Sequence, residues 1–80
     1  MSKRHPILLV EDDATLREAL AETMRLAGYE VVTAADGETA LVALTADVFE
    51  AVVTDYQMKP MDGFALLSAI RELRPSLPVL

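Results

Sequence analysis

Two short runs along the chain are apolar without interruption. They are Ile7-Leu8-Leu9-Val10 and Ala51-Val52-Val53, the second led in by Phe49-Glu50 and closed by Thr54. Continuous runs of this length read as strands buried on both faces, the habit of parallel sheets. Between them the spacing changes to threes and fours. Leu16, Ala19, Leu20, Thr23 and Ala27 line one face of a predicted helix over 14–27, with Asp13 as N-cap and Gly28 as C-terminal stop. Residues 30–34 are a second strand. Asp36-Gly37 turns the chain, and Asp36 caps a second helix over 38–45 whose Ala40, Leu41 and Leu44 face inward. The third strand is 51–54. A third helix, over about 64–73, buries Leu66, Leu67, Ile70 and Leu73 until Pro75 prevents its continuation. Pro78-Val79-Leu80 begins a fourth strand.

This βαβαβαβ order predicts an α/β fold: a parallel sheet with right-handed crossovers and helices on both faces. Open parallel sheets bind ligands beyond the carboxyl ends of their strands. Both apolar runs end in acid there, the first in Glu11-Asp12-Asp13 and the other in Asp55. Carboxylates delivered to one site from separate strands repel unless a cation or protons intervene. Each acid also has a plainer reading. Asp55 alone is a turn residue after a strand, Asp12 and Asp13 are helix caps, and Glu11 is a solvated surface acid. Asp36-Gly37 is a turn and Asp62-Gly63 a helix start. Lys59 is by default an exposed loop lysine, and His5 belongs to the tail. Met24, Met58 and Met61 are packing or loop residues.

Composition narrows the classes. Eighty residues allow one small domain. Such a domain buries roughly 60–65% of its extended-chain surface. A hydrophobic fraction of 52% fits a packed globule. The net charge of −6 argues against direct nucleic-acid binding through a basic face, since the only basic cluster is Lys3-Arg4-His5. With no cysteine there is no disulfide or thiolate metal site, and a reducing, cytoplasmic setting is expected. No apolar stretch reaches membrane-spanning length, and the first residues lack a signal peptide's apolar core.

Several pieces taken together carry a family resemblance. They are the 7–13 run Ile-Leu-Leu-Val-Glu-Asp-Asp, Gly28-Tyr29-Glu30-Val31, Ala35-Asp36-Gly37, and Val52-Val53-Thr54-Asp55 with Met61-Asp62-Gly63. The chain resembles the receiver domain of bacterial two-component response regulators over residues 6–80, with 1–5 as a tail. The 73–80 stretch is most similar to receivers attached to enhancer-binding transcription activators.

The resemblance implies a flavodoxin-like, doubly wound parallel sheet of order 2-1-3-4. The chain would be the N-terminal part of one receiver, with strand 5 and helices 4 and 5 absent. It implies that Asp55 accepts a phosphoryl group from a sensor histidine kinase. It also implies Mg²⁺ held by Asp12, Asp55 and the backbone carbonyl of Gln57, with Glu11 acting through a water. Tyr56, Gln57 and Lys59 would lie near the phosphoryl group. General chemistry agrees: a carboxylate is a competent nucleophile, and Mg²⁺ prefers oxygen ligands and keeps several waters. The chain departs from the family where Lys59 stands in the place of a usual proline, with Pro60 next. The family's Ser or Thr ending strand 4 and lysine ending strand 5 fall beyond Leu80.

The expected function is therefore a phosphorylation-controlled signalling module rather than an enzyme. It catalyses its own phosphoryl transfer and slow dephosphorylation, and relays the signal to an output domain, expected to be transcriptional. Alternatives are a truncated interaction fragment that does not signal, and the receiver of a hybrid histidine kinase. A phosphatase of the haloacid-dehalogenase type needs a second Asp two residues after its nucleophile, where this chain has Gln57. A dinucleotide-binding enzyme needs Gly-x-Gly-x-x-Gly after strand 1, and that is missing. The expected partners are the kinase, the output domain and further copies of the chain, joined through apolar surface that 80 residues leave uncovered. Nucleic acid and membrane are not among them.

Overall fold

The computed structural model describes residues 5–54 and 63–80, the side chains of 63 and 64 excepted. The chain runs β1 (Ile7–Val10), α1 (Ala14–Leu26), β2 (Val31–Ala34), α2 (Gly37–Ala46), β3 (Ala51–Thr54) and α3 (Gly63–Leu73). The three strands form one parallel sheet in the order β2-β1-β3. The fourth strand expected from Pro78-Val79-Leu80 appears as an isolated parallel bridge from Val79 to Val52. The Val52 N–H donates to the Pro78 carbonyl (2.9 Å), and the Leu80 N–H to the Val52 carbonyl (2.8 Å). This bridge occupies the position beside β3 that the order 2-1-3-4 assigns to a fourth strand.

Alternation along β1 divides the interior into two unequal cores. Leu8 and Val10 face the larger one, with Ala34, Ala40, Leu44, Val52, Leu66 and Ile70 among its members. That core is roofed by α2 and α3. Leu9 faces the other way and, among the described residues, clusters with Ala21 and Val31, with Met24 and Val53 packed alongside. This is the face of α1. Leu8, Leu44, Val52, Leu66 and Ile70 are fully buried.

The helix ends follow local rules. Asp13 Oδ1 accepts the Leu16 N–H (3.0 Å) and caps α1. Gly28 has φ +101°. Its N–H donates to the Arg25 carbonyl (3.0 Å) while the Tyr29 N–H reaches the Met24 carbonyl (3.2 Å). That is the Schellman arrangement, which needs the left-handed conformation glycine adopts cheaply. Asp36 Oδ1 accepts the Thr39 N–H (2.7 Å) at the start of α2.

Four expectations are corrected. The line of α1 that meets the sheet contains Arg17, Ala21 and Met24, not Leu16, Ala19, Leu20, Thr23 and Ala27. Leu16 is 45% exposed and Leu20 37%, whereas Ala21 is 1% exposed. Ala21 sits against Leu9 and Val31 in the small core under α1, which sets the sheet-facing line of the helix. Leu73 is also exposed, because α3 ends on it and the chain turns away. Strand β2 starts at Val31 rather than residue 30, although the Glu30 carbonyl already accepts the Ile7 N–H (2.8 Å). Finally, α2 is one residue longer at each end than 38–45.

Candidate functional site at the carboxyl ends of the strands

Strands β1 and β3 are parallel neighbours that end level. Ile7 pairs with Ala51, and the register runs on until Val10 pairs with Thr54. Glu11 follows Val10, and Asp55 follows Thr54 in sequence. The acidic turn 11–13 therefore leaves the sheet at the end and on the strand predicted for it.

The three acids of this turn differ in setting. Glu11 is 5% exposed, the one charged residue buried among the described residues. Its N–H donates to the Ala34 carbonyl (3.0 Å), carrying the β1–β2 ladder one residue further. Its Oε2 accepts the Asp13 N–H (3.1 Å). Solvated surface placement is thus corrected: Glu11 is an internal brace of the turn. Burying a carboxylate is costly unless it is hydrogen-bonded, and here a backbone donor is supplied. Asp12 is exposed, and Asp13 spends one oxygen on the helix cap. The turn thus offers Asp12 outward and holds Glu11 inward.

One residue of this site was not found from the sequence. Arg17, half-buried on the first turn of α1, donates from Nη1 to the Glu11 carbonyl (2.9 Å), while its own N–H donates to the Asp13 carbonyl (2.8 Å). An arginine four residues after a cap ordinarily reads as a solvated helix residue. Nothing in the spacing says that its side chain folds back onto the strand end.

The oxygen donors of Glu11 and Asp12 suit a hard cation such as Mg²⁺, and the chain has no thiolate. No cluster of three His, Cys, Asp or Glu side chains capable of holding a metal occurs among the described residues. Asp55, Tyr56, Gln57 and Lys59 lie outside the described residues, as do Met58, Met61 and Asp62. His5 is exposed and takes part in no such cluster. A concavity of about 460 Å³ among the described residues lies between α1 and Thr33 of β2, with Arg17 and Arg25 in its lining, and another of about 390 Å³ lies around Phe49, Arg74 and Pro78. Among the described residues no helix is long and apolar enough to cross a membrane.

Comparison with known proteins places this geometry. The chain is 49% identical over 74 residues to the response regulator protein FleR of Pseudomonas aeruginosa, covering 92% of this chain and 16% of that one. It is 40% identical over 80 residues to the C4-dicarboxylate transport transcriptional regulatory protein DctD of Rhizobium meliloti, covering 100% of this chain and 17% of that one. It thus spans about one sixth of the length of these relatives. The structure of the response regulator TrrA from Thermotoga maritima, in complex with Mg²⁺-BeF, superposes with a TM-score of 0.89 at 31% identity, over 94% of this chain and 65% of that one. The fold is thus the flavodoxin-like receiver fold. Residues 7–80 match the family described as the response regulator receiver domain, and the chain belongs to that family.

Proposed function

We propose that this chain is the phosphoacceptor module of a longer, cytoplasmic response regulator, with Asp55 as the residue that takes the phosphoryl group. The observation that carries this reading is the level ending of β1 and β3, with Val10 beside Thr54. It sets the acidic turn next to the strand whose following residue in sequence is Asp55. Receiver domains are phosphoacceptor domains rather than enzymes of the ordinary kind. The fraction of FleR and DctD that the chain spans supports a longer parent, and the transcriptional role in DctD's name supports a transcriptional output.

In this reading an Asp55 carboxylate oxygen attacks the phosphorus carried by a sensor histidine kinase, giving an acyl phosphate and freeing the kinase histidine. Asp12, Asp55 and the Gln57 carbonyl would hold Mg²⁺; that the TrrA structure is a complex with Mg²⁺-BeF supports magnesium as the cation. When bound, the cation offsets negative charge on the transferring group. Glu11, held inward by burial and by the Asp13 N–H, would act only through a water. Tyr56, Gln57 and Lys59 border the phosphoryl group, and water later hydrolyses it.

Titrating Mg²⁺ into the chain while following backbone amides by NMR tests the cation half of this proposal. The amides of residues 11–13 and 55–58 are expected to shift, and Asp12→Asn is expected to weaken the response more than Asp13→Asn. Shifts confined elsewhere overturn the site. The reverse order of the two variants moves the ligand by one residue.

A further inference from the structure

Arg17 and Arg25 sit eight residues apart on α1 with Ala21 between them, and each reaches back to the sheet. Arg25 Nη2 donates to the Val31 carbonyl at the start of β2 (3.0 Å). Arg17 Nη1 donates to the Glu11 carbonyl just past the end of β1 (2.9 Å). Between these two straps the helix has a narrow apolar seam, Ala21 and Met24 against Leu9, Val31 and Val53. The straps look alike but hold different things. Arg25 ties down structural backbone, whereas Arg17 ties down the residue preceding Asp12.

The backbone around Asp12 is closed from both sides. The Glu11 N–H is fixed on the Ala34 carbonyl and its C=O on the Arg17 guanidinium. The Asp13 N–H is fixed on Glu11 Oε2, and the Asp13 carbonyl on the Arg17 N–H. Arg17 thus grips the turn twice, once through its side chain and once through its backbone. Only the side-chain grip depends on its being arginine, because the backbone contact survives substitution. A guanidinium is well suited to this grip, since it stays charged and presents several donors in a rigid fork. Its positive charge alone disfavours a nearby cation, so any help it gives to Mg²⁺ comes through the conformation of the turn.

We infer that Arg17 is a positioning residue for the cation site, holding the Glu11–Asp13 turn in its binding conformation. The inference rests on the cation reading proposed above. A turn ordered in advance does not lose its freedom on binding, so removing the clamp weakens Mg²⁺ without touching a ligand. Partners that orient metal ligands from behind typically change metal affinity by about 10–100-fold.

The test is Mg²⁺ affinity by amide titration, run on the wild type, Arg17→Ala, Arg17→Lys and Arg25→Ala at a temperature where each is folded. Arg17→Ala is expected to weaken Mg²⁺ by about 10-fold. Arg17→Lys, which keeps the charge but not the fork, is expected to fall between, and stands in if the alanine variant does not fold. Arg25→Ala removes the matching strap and is expected to leave the affinity unchanged, whatever it does to melting temperature. Wild-type affinity in both Arg17 variants overturns the inference, and so does equal weakening by Arg17→Ala and Arg25→Ala, which marks a stability effect. A wild-type chain with no Mg²⁺ response at residues 11–13 overturns the cation reading itself, a failure visible before any variant is made.

Discussion

At Asp36 a single carboxylate does two jobs, ending the approach to α2 and accepting the Thr39 amide. The Thr39 backbone hydrogen bond, with a smaller contribution from the Thr39 side chain, holds its pKa below the ordinary value of 3.8. A folded-state pKa lower than the unfolded one means stability gained above the unfolded value and lost as pH falls through the folded one. The stability gap between wild type and Asp36→Asn should therefore be constant near neutral pH and shrink as pH drops below 3.8, which urea titrations at several pH values would read. Gly28 gives a second residue-scale prediction. A β-carbon built there meets nothing within 4 Å, so Gly28→Ala has no clash to relieve. Its cost is that of the left-handed backbone alone, about 1–2 kcal/mol of stability, read as the shift in denaturant midpoint multiplied by the slope m. Asp13, Gly28 and Asp36 were all legible in the sequence because a cap or stop is decided within four residues. Arg17 was not, because its role depends on where a long, flexible side chain lies after the helix has docked.

Among the elements, α1 separates pattern from packing. Its sequence carries two adjacent lines at helical spacing, Leu16–Leu20 and Arg17–Ala21–Met24. Hydrophobicity favours the first, and the sheet takes the second. The sheet-facing line is the one that seats Ala21 against Leu9 and Val31, a contact that no window along α1 reports. Two substitutions distinguish the lines. Ala21→Leu overfills that contact and should cost about 1–3 kcal/mol. Leu20→Ala, at a position 37% exposed, should stay within about 0.5 kcal/mol. Chemical denaturation of the two variants checks the order. By contrast, α2 and α3 read correctly at Ala40, Leu44, Leu66 and Ile70, because the core they cover is larger and accepts the bulky residues that periodicity marks.

For the whole molecule, alternation of strand and helix was enough for a parallel sheet with helices on both faces. The order β2-β1-β3 was not contained in that alternation and came with the family resemblance. That order gives the site its sense, since it makes β1 and β3 neighbours and sets the acidic turn after β1 beside the end of β3, whose next residue in sequence is Asp55. The acids themselves stood out in the sequence because each closes an uninterrupted apolar run. The inward turn of Glu11 did not, because it depends on a hydrogen bond to Asp13 formed only once the turn is folded. Everything proposed for the site turns on the acid after β3 being the nucleophile. Treating the full-length parent protein with acetyl phosphate and Mg²⁺, and locating the phosphoryl group by mass spectrometry, decides it. One phosphoryl group is expected on Asp55, dependent on Mg²⁺ and lost in Asp55→Asn. Incorporation that persists in Asp55→Asn, or a label on any other residue of the wild type, would contradict that role.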